Sequence, residues 1–412
     1  MVEAGTSEKL MRFLESGIYR FESSKAVFID PVRVLNRSYS RFKVSPSAYY
    51  SRFFDTHGSR AGVSSNTRKR KRKEKQAATA LNERELAADR RHQEVRAFLL
   101  KAHESLRGAN ELLSVMPSLR SGEDAPAKNI ETWEPQQSLI ELGRLWQASM
   151  FEITLNFPSS EEQTTGYQRI LPVFGNLVVN DMDDDVEAEF LNSQYIIPRE
   201  SHFYISDLKH IKNLVPDGGD CGFHLIVVDP PWENGSAHQK MRYPTLPNRY
   251  FLSIPIKQLA HREGALVALW VTNREKLRTF VEKEMFPSWG VRHVATFHWL
   301  KVKADGSLIG DIDLFHHRPY ESLLLGYCSR KSGDSEKLSI DRAIPDNQVI
   351  LSIPGDYSRK PPVQDLVLEF IPGLKPPRCV ELFAREMRAG WHSWGNEPLY
   401  FQESRYFQPP CG

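Results

Sequence analysis

Beyond Gln194 the chain alternates short apolar runs with helical patterns, and that alternation limits the fold more than any other feature. The runs fall at 202–205, 225–228, 265–271, 294–299, 322–327, 349–353 and 379–383. They are short, apolar and without helical period, which reads as strands buried on both faces. Between several of them lie helical patterns, such as 275–286 closed by Pro287, and 363–371 opened by Pro361-Pro362 and closed by Pro372. Serial βα units imply an α/β fold whose mostly parallel sheet is covered on both faces. No G-x-G-x-x-G follows any of these runs, so a dinucleotide-binding reading is weak.

One strand end carries unusual chemistry. The run ending at Val228 stops at Asp229-Pro230-Pro231-Trp232, and in open α/β sheets the ligand crevice lies at the carboxyl ends of the strands. Prolines have no N–H, so this tetrapeptide offers the Asp229 carboxylate and peptide carbonyls as acceptors with few competing donors. Trp232 adds a π face that can stack on a planar ring. Acceptors beside a stacking face suit a nucleobase with an exocyclic amine; the plain alternative is a proline-stiffened turn with a half-buried tryptophan.

The rest of the chain sets bounds. With 412 residues, two or three domains are expected. The boundaries read as an N-terminal region 1–118, a linker and middle region 119–194, and a catalytic domain 195–412. Lys and Arg number 54 against 52 Asp and Glu, so net charge does not announce a nucleic-acid binder. Cys221, Cys328, Cys379 and Cys411 are widely spaced, which argues for a reducing compartment and against structural zinc. The first residues lack a signal-peptide pattern and no apolar run approaches membrane-spanning length, so a soluble intracellular protein is expected.

Within 1–60, Phe21, Phe28, Tyr39, Phe42, Tyr49, Tyr50, Phe53 and Phe54 lie among basic residues. Such aromatics either stack on single-stranded nucleic acid or pack as half-buried docking residues. The run Arg68 to Lys73 reads as a nuclear-localisation or phosphate-binding patch, or as a solvated helix extension. A helix is expected over 77–116, with Asn82 and Glu85 as a capping box, Leu86, Val95, Phe98, Leu99 and Leu106 as its apolar stripe, and Pro117 as its end. Residues 121–135 read as a linker, 139–151 as helix and 174–179 as strand. The acidic run Asp181 to Asp185 lacks the glycine and distal glutamate of a calcium loop and reads as a solvated loop.

Asp229-Pro230-Pro231-Trp232, Trp270-Val271-Thr272-Asn273, Glu381-Leu382-Phe383-Ala384-Arg385 and Gly395-Asn396-Glu397 recur in the order of one known family. Over roughly 195–405 the chain resembles the MT-A family of N6-adenosine methyltransferases, most of all its methyltransferase-like protein four branch. The resemblance implies a Rossmann-like methyltransferase domain that moves a methyl group from S-adenosylmethionine to N6 of adenine without a metal. It implies that Asp229, Pro230, Pro231 and Trp232 form the catalytic segment, with amine hydrogen bonds to the Asp229 side chain and the Pro230 carbonyl.

It also implies that Ser206, Asp207 and Leu208 meet the cofactor's adenine, although Asp207 reads equally well as a helix cap. By the same resemblance Lys360 pairs with the methionine carboxylate, and Arg385 and Asn396, with Glu381 and Glu397 nearby, hold the ribose and tail. A glutamate such as Glu381 inside an apolar strand needs a partner in any case. Met387 and Arg388 depart from the pattern of the messenger-RNA enzyme and leave the ribose contacts open. On the substrate side the resemblance points to Trp232, Asn234, Tyr243 and Glu321, with Asn234-Gly235-Ser236 as a hinge. His316, His317 and the other histidines have no part in this chemistry.

The expectation is therefore a nuclear, and in part cytoplasmic, enzyme acting on RNA, with 2′-O-methyladenosine in a spliceosomal small nuclear RNA as the substrate that the branch implies. Adenine in DNA and a non-catalytic RNA-binding partner subunit are the alternatives. A monomer is compatible with the long N-terminal extension, and a partner subunit stays open.

Overall fold

The computed structural model describes residues 7–51, 83–120, 138–158, 166–216, 222–233, 245–314, 318–329, 343–356, 358–371 and 376–408. In chain order its strands are β1 (Ile18–Arg20), β2 (Ala26–Ile29), β3 (Lys43–Val44), β4 (Glu152–Phe157), β5 (Tyr167–Pro172), β6 (Leu177–Val179), β7 (Val186–Phe190), β8 (Ser193–Ile197) and β9 (His202–Ile205). They continue with β10 (Leu225–Val228), β11 (Ala265–Val271), β12 (Val291–Lys301), β13 (Tyr320–Cys328), β14 (Gln348–Ser352), β15 (Cys379–Leu382), β16 (Trp391–Gly395) and β17 (Phe407–Gln408).

Eleven of these form one sheet in the order β1-β2-β14-β12-β13-β11-β10-β15-β16-β9-β6. From β2 through β9 every strand runs the same way except β13, which is antiparallel to β11 and β12, and the two edge strands β1 and β6 are antiparallel to their neighbours. The α/β expectation holds, and each of the seven runs from 202 onward is a strand. The alternation along β10 shows why. Leu225 and Val227 enter one apolar cluster and Ile226 and Val228 the opposite one, so both faces are buried.

The sheet also draws on residues before 195. β1 and β2 extend it at one end, and β6 closes the other. Phe21, Phe28, Tyr39, Phe42, Tyr49 and Tyr50 are all buried in the cluster beneath this extension. They are core residues and have no free face for a nucleobase; Phe53 and Phe54 lie outside the described residues. β4, β5, β7 and β8 make a separate antiparallel sheet, and β3 pairs with β17. Asp185 of the acidic run is buried and accepts hydrogen bonds from the N–H groups of Ser40 (3.0 Å), Arg41 (3.1 Å) and Phe42 (3.3 Å) and from Arg41 Nε (3.1 Å). It fastens the N-terminal loop to β7 and is no part of a solvated loop.

Several helix boundaries differ from expectation. The long helix spans Glu83–Gly108 and restarts as Asn110–Val115. Ala109 leaves helical geometry (φ −89, ψ 71) after a poor helix former, Gly108. Pro117 sits inside the tight turn Met116–Leu119. The helix buries Val95, Leu99, Ala102 and Leu106, spaced at four and three, whereas Leu86 and Phe98 lie off that stripe and are exposed. Residues 77–82 and the basic run lie outside the described residues, as does the 121–135 segment.

The 139–151 segment holds only a short helix, Leu139–Gly143, and one turn, Ala148–Met150. The expected strand at 174–179 begins only at Leu177. Pro287 does not close its helix. A π turn at Val281–Met285, where Phe286 N–H reaches Val281 O, leads into a last helical turn, Phe286–Trp289. The chain then stops on Gly290 in the left-handed region (φ 69).

Candidate active site

In-register parallel pairing brings strand ends together. Val228 of β10 lies beside Leu269 of β11 and Leu382 of β15, and Leu382 beside Trp394 of β16. Residues that follow these strands meet along one sheet edge: Asp229, Thr272, Phe383 to Arg385, and Asn396 with Glu397. The reversed β13 contributes from its beginning instead, where Glu321 is in register with Trp299 of β12. All of these except Glu321 come from carboxyl ends, as the crevice rule requires. They line an open cleft together with Pro230, Pro231, Trp232, Trp270, Arg274, Ser358 and Lys360.

The tetrapeptide forms one wall. Trp232 N–H donates to Pro230 O (2.7 Å) and Leu246 N–H to Pro231 O (3.0 Å), so each carbonyl keeps a second lone pair. The Trp232 indole is buried, donates from Nε1 to Trp270 O (2.9 Å) and meets the edge of Phe251 at 5.3 Å. It is a fixed wall and not a loose lid.

Charge is concentrated at its foot. Lys360 Nζ lies 3.2 Å from Asp229 Oδ1 and 3.4 Å from Glu321 Oε2, and Lys301 Nζ lies 2.5 Å from Glu321 Oε1. Burial raises the Asp229 carboxyl above its ordinary value; Lys360 and Arg385 oppose this and the negative charge of Glu321 adds to it. Burial pushes Glu321 the same way, but Lys301 and Lys360 together outweigh it and hold that carboxyl down at about 2. Two half-buried carboxylates share one lysine yet are displaced in opposite directions. Lys301 carried no signal in the sequence, because only strand register brings it diagonally across from Glu321, two residues beyond Trp299.

Two residues that line the cleft, Ser358 and Phe383, have φ of 61 and 62. Non-glycine residues in this region cost roughly 1–3 kcal/mol and cluster at functional sites. Thr272 Oγ1 is a buried hydroxyl on the cleft wall with no hydrogen-bond partner among the described residues. Cations at the base, acceptors on the wall and this open hydroxyl fit a zwitterionic nucleoside cofactor such as S-adenosylmethionine.

The candidate residues divide into three groups. Asp229, Pro230, Pro231, Trp232, Glu321, Lys360, Arg385, Asn396 and Glu397 line the cleft. Ser206, Asp207 and Leu208 follow β9 and are absent from the described lining. Ser206 N–H donates to Gly395 O (3.0 Å), while Asp207 caps the turn Leu208–Leu214 by accepting from Lys209 N–H (3.4 Å), the capping arrangement that the sequence also allowed. Glu381 is absent from the described lining and forms an ion pair with Arg388 (2.7 Å), and Met387 is buried in the cluster beneath the smaller sheet. Asn234 and Tyr243, with Gly235, Ser236, His316 and His317, lie outside the described residues. Ile140 and Arg144, which no motif marks, reach the cleft from the middle region.

His224, His261 and Glu263 form a second cluster whose ligand atoms lie within 4.8 Å of one another. His224 Nδ1 accepts from Arg378 N–H (3.1 Å) and His261 Nδ1 from Glu263 N–H (3.2 Å). In each neutral ring the proton then sits on Nε2, which leaves no lone pair for a metal.

Comparison with known proteins matches the same region. The MT-A70 family model covers residues 223–397. The Mus musculus protein named N(6)-adenine-specific methyltransferase METTL4 is 31% identical over 350 residues, which cover 81% of this chain and 71% of the mouse protein. The N6-methyladenosine RNA methyltransferase MTA1 of Pyricularia oryzae is 35% identical over 222 residues, 51% of this chain and 56% of the fungal one. The DNA N6-methyl methyltransferase of Caenorhabditis elegans is 35% identical over 221 residues, 52% of this chain and 56% of the nematode one. The chain thus spans little more than half the length of the last two relatives.

Proposed function

This chain belongs to the MT-A70 family, and from that premise we propose that it transfers a methyl group from S-adenosylmethionine to the N6 amine of adenine in nucleic acid. The observation that carries the proposal is the meeting of Asp229 and Lys360 at 3.2 Å, at the carboxyl end of a central strand and in a cleft that Arg385 and Asn396 also line. When bound, the cofactor supplies an electrophilic methyl on a sulfonium, an excellent leaving group. The chain's own work is placement.

Lys360 and Arg385 receive the cofactor's carboxylate and ribose side, with Asn396 beside them. Asp229 Oδ and the free lone pair of Pro230 O accept the two hydrogens of the adenine amine, and Trp232 walls the base. Lys360 would divide its charge between Asp229 and the cofactor's carboxylate, and Asp229 would then accept from the amine and take the proton that the methylated nitrogen sheds. Most of the acceleration comes from positioning and preorganised charge. Ser206, Asp207 and Leu208 take the cofactor's adenine, and Asn234, Tyr243 and Glu321 the target nucleotide; these assignments rest on family resemblance.

RNA is the preferred substrate in this reading, with 2′-O-methyladenosine of a spliceosomal small nuclear RNA as the specific target and the nucleus as the site of action. DNA is the second reading, which the nematode relative's name supports. A single strand is the cheaper target for either polymer, because extruding a base from a duplex costs a few kcal/mol. The test is transfer of labelled methyl to matched RNA and DNA oligonucleotides that carry one adenosine or 2′-O-methyladenosine. Asp229→Ala is expected to lower transfer at least about a hundredfold while the fold is retained. Wild-type-like activity in that variant, or transfer to a base other than adenine, defeats the proposal.

A further inference from the structure

The cleft lysine is anchored from an unexpected direction. Arg359, the residue before Lys360, is buried, with its guanidinium 4.0 Å from the ring centroid of Tyr49 and 4.1 Å from that of Phe401. Its charge is met by an ion pair with the buried Glu386. Phe401 N–H donates to Arg385 O (2.9 Å), and the Arg385 guanidinium stands 5.3 Å from the Phe401 ring. One stack, Tyr49, Arg359, Phe401 and Arg385, therefore runs under the cleft. It links the backbone segments that carry the two cations facing Asp229.

Tyr49 closes that stack and comes from the far end of the chain. It ends the one-turn helix Pro46–Tyr49, whose cap, Ser45, accepts from Ala48 N–H. Its neighbour Tyr50 is fixed by donating to Asp30 Oδ1 (3.0 Å). Tyr49 also presses on the loop that leads to Arg359. A Cβ at Gly355 would stand 2.7 Å from Tyr49 Cε1 and 3.0 Å from Tyr49 O, so glycine is needed there for close approach. Ser358 in the left-handed region shows that the following turn is held against its own preference.

We infer that Tyr49 is a positioning residue for the cofactor's carboxylate: by clamping Arg359 it fixes the backbone from which Lys360 swings between Asp229, Glu321 and that carboxylate. The inference rests on the proposed role of Lys360. It makes a segment outside the family-matched residues 223–397 part of the binding machinery.

The test measures binding of S-adenosylhomocysteine and of 5′-methylthioadenosine, which lacks the amino-acid tail, to the full chain by titration calorimetry. The variants are Tyr49→Ala, Tyr49→Phe, Lys360→Ala and the double variant Tyr49→Ala/Lys360→Ala. Tyr49→Ala is expected to weaken S-adenosylhomocysteine about tenfold and 5′-methylthioadenosine less than twofold. Tyr49→Phe, which keeps the ring, should bind as the wild type does, and the double variant should be no weaker than Lys360→Ala alone. Equal losses for both ligands would mean that Tyr49 only supports the fold, and unchanged affinity would mean that the clamp is idle; either overturns the inference. If the wild-type chain binds neither ligand, the proposed function itself fails.

Discussion

Arg359 and Lys360 are adjacent cations with opposite circumstances. Arg359 is sealed between two rings with one carboxylate, Glu386, while Lys360 stands at the cleft between two, Asp229 and Glu321, with Lys301 behind the second. A sealed pair cannot exchange partners, because neither ion has water to fall back on. An open cluster can: a ligand carboxylate need only compete with anions already sharing one lysine. The sealed pair should therefore report in stability and the open cluster in binding and pH dependence.

The largest expected effect tests the sealed side. Glu386→Ala leaves Arg359 buried without a counter-charge and should lower unfolding free energy by about 3–5 kcal/mol in urea titrations; a loss below about 1 kcal/mol would erase the contrast.

Next comes the open side. Glu321→Gln removes a negative charge that raises Asp229, so the acid limb of the pH–rate profile should move to lower pH, with transfer reduced about tenfold. The same variant separates stability by pH. Glu321 is held at about 2 against an ordinary 4.5, so its contribution is complete above about pH 4.5 and lost as pH falls toward 2. Wild type and variant should therefore differ in melting temperature at pH 6 and converge at the acid end. An acid limb that moves upward would reverse the sign assigned to this carboxylate.

The smallest effect belongs to Arg144, which is exposed on the cleft lining close to the 83% exposed Trp146. Arg144→Ala should weaken single-stranded oligonucleotide binding two- to threefold and flatten the dependence of log affinity on log salt by about 0.7. An unchanged slope would take Arg144 out of the strand's path.

These differences also explain which features are legible in the sequence alone. The strands from 202 onward were legible because each is a local apolar run without helical period, and Asp229-Pro230-Pro231-Trp232 because acceptor chemistry is written in consecutive residues. Glu381 was recognisable as needing a partner, but not that Arg388 would supply it. The aromatics at 21–50 were ambiguous because such residues among basic neighbours suit either stacking on nucleic acid or half-buried packing; long-range packing, the pairing of β2 with β14 included, puts them inside. Asp207 was equally ambiguous as cap or ligand: it caps Leu208–Leu214 through one carboxylate oxygen, and its ligand role belongs to the proposal. Tyr49 on Arg359, like Lys301 on Glu321, arises from tertiary packing and strand register, for which no short motif exists.

The edge of the sheet has a consequence for synthesis. β2 and β3 find their partners, β14 and β17, more than 300 residues further along the chain. Closing so long a loop is slow, so β2 and β3 must wait with apolar faces uncovered until those partners have been made. Deleting β14 or β17 should therefore leave β2 and β3 open to chaperones and prone to aggregation.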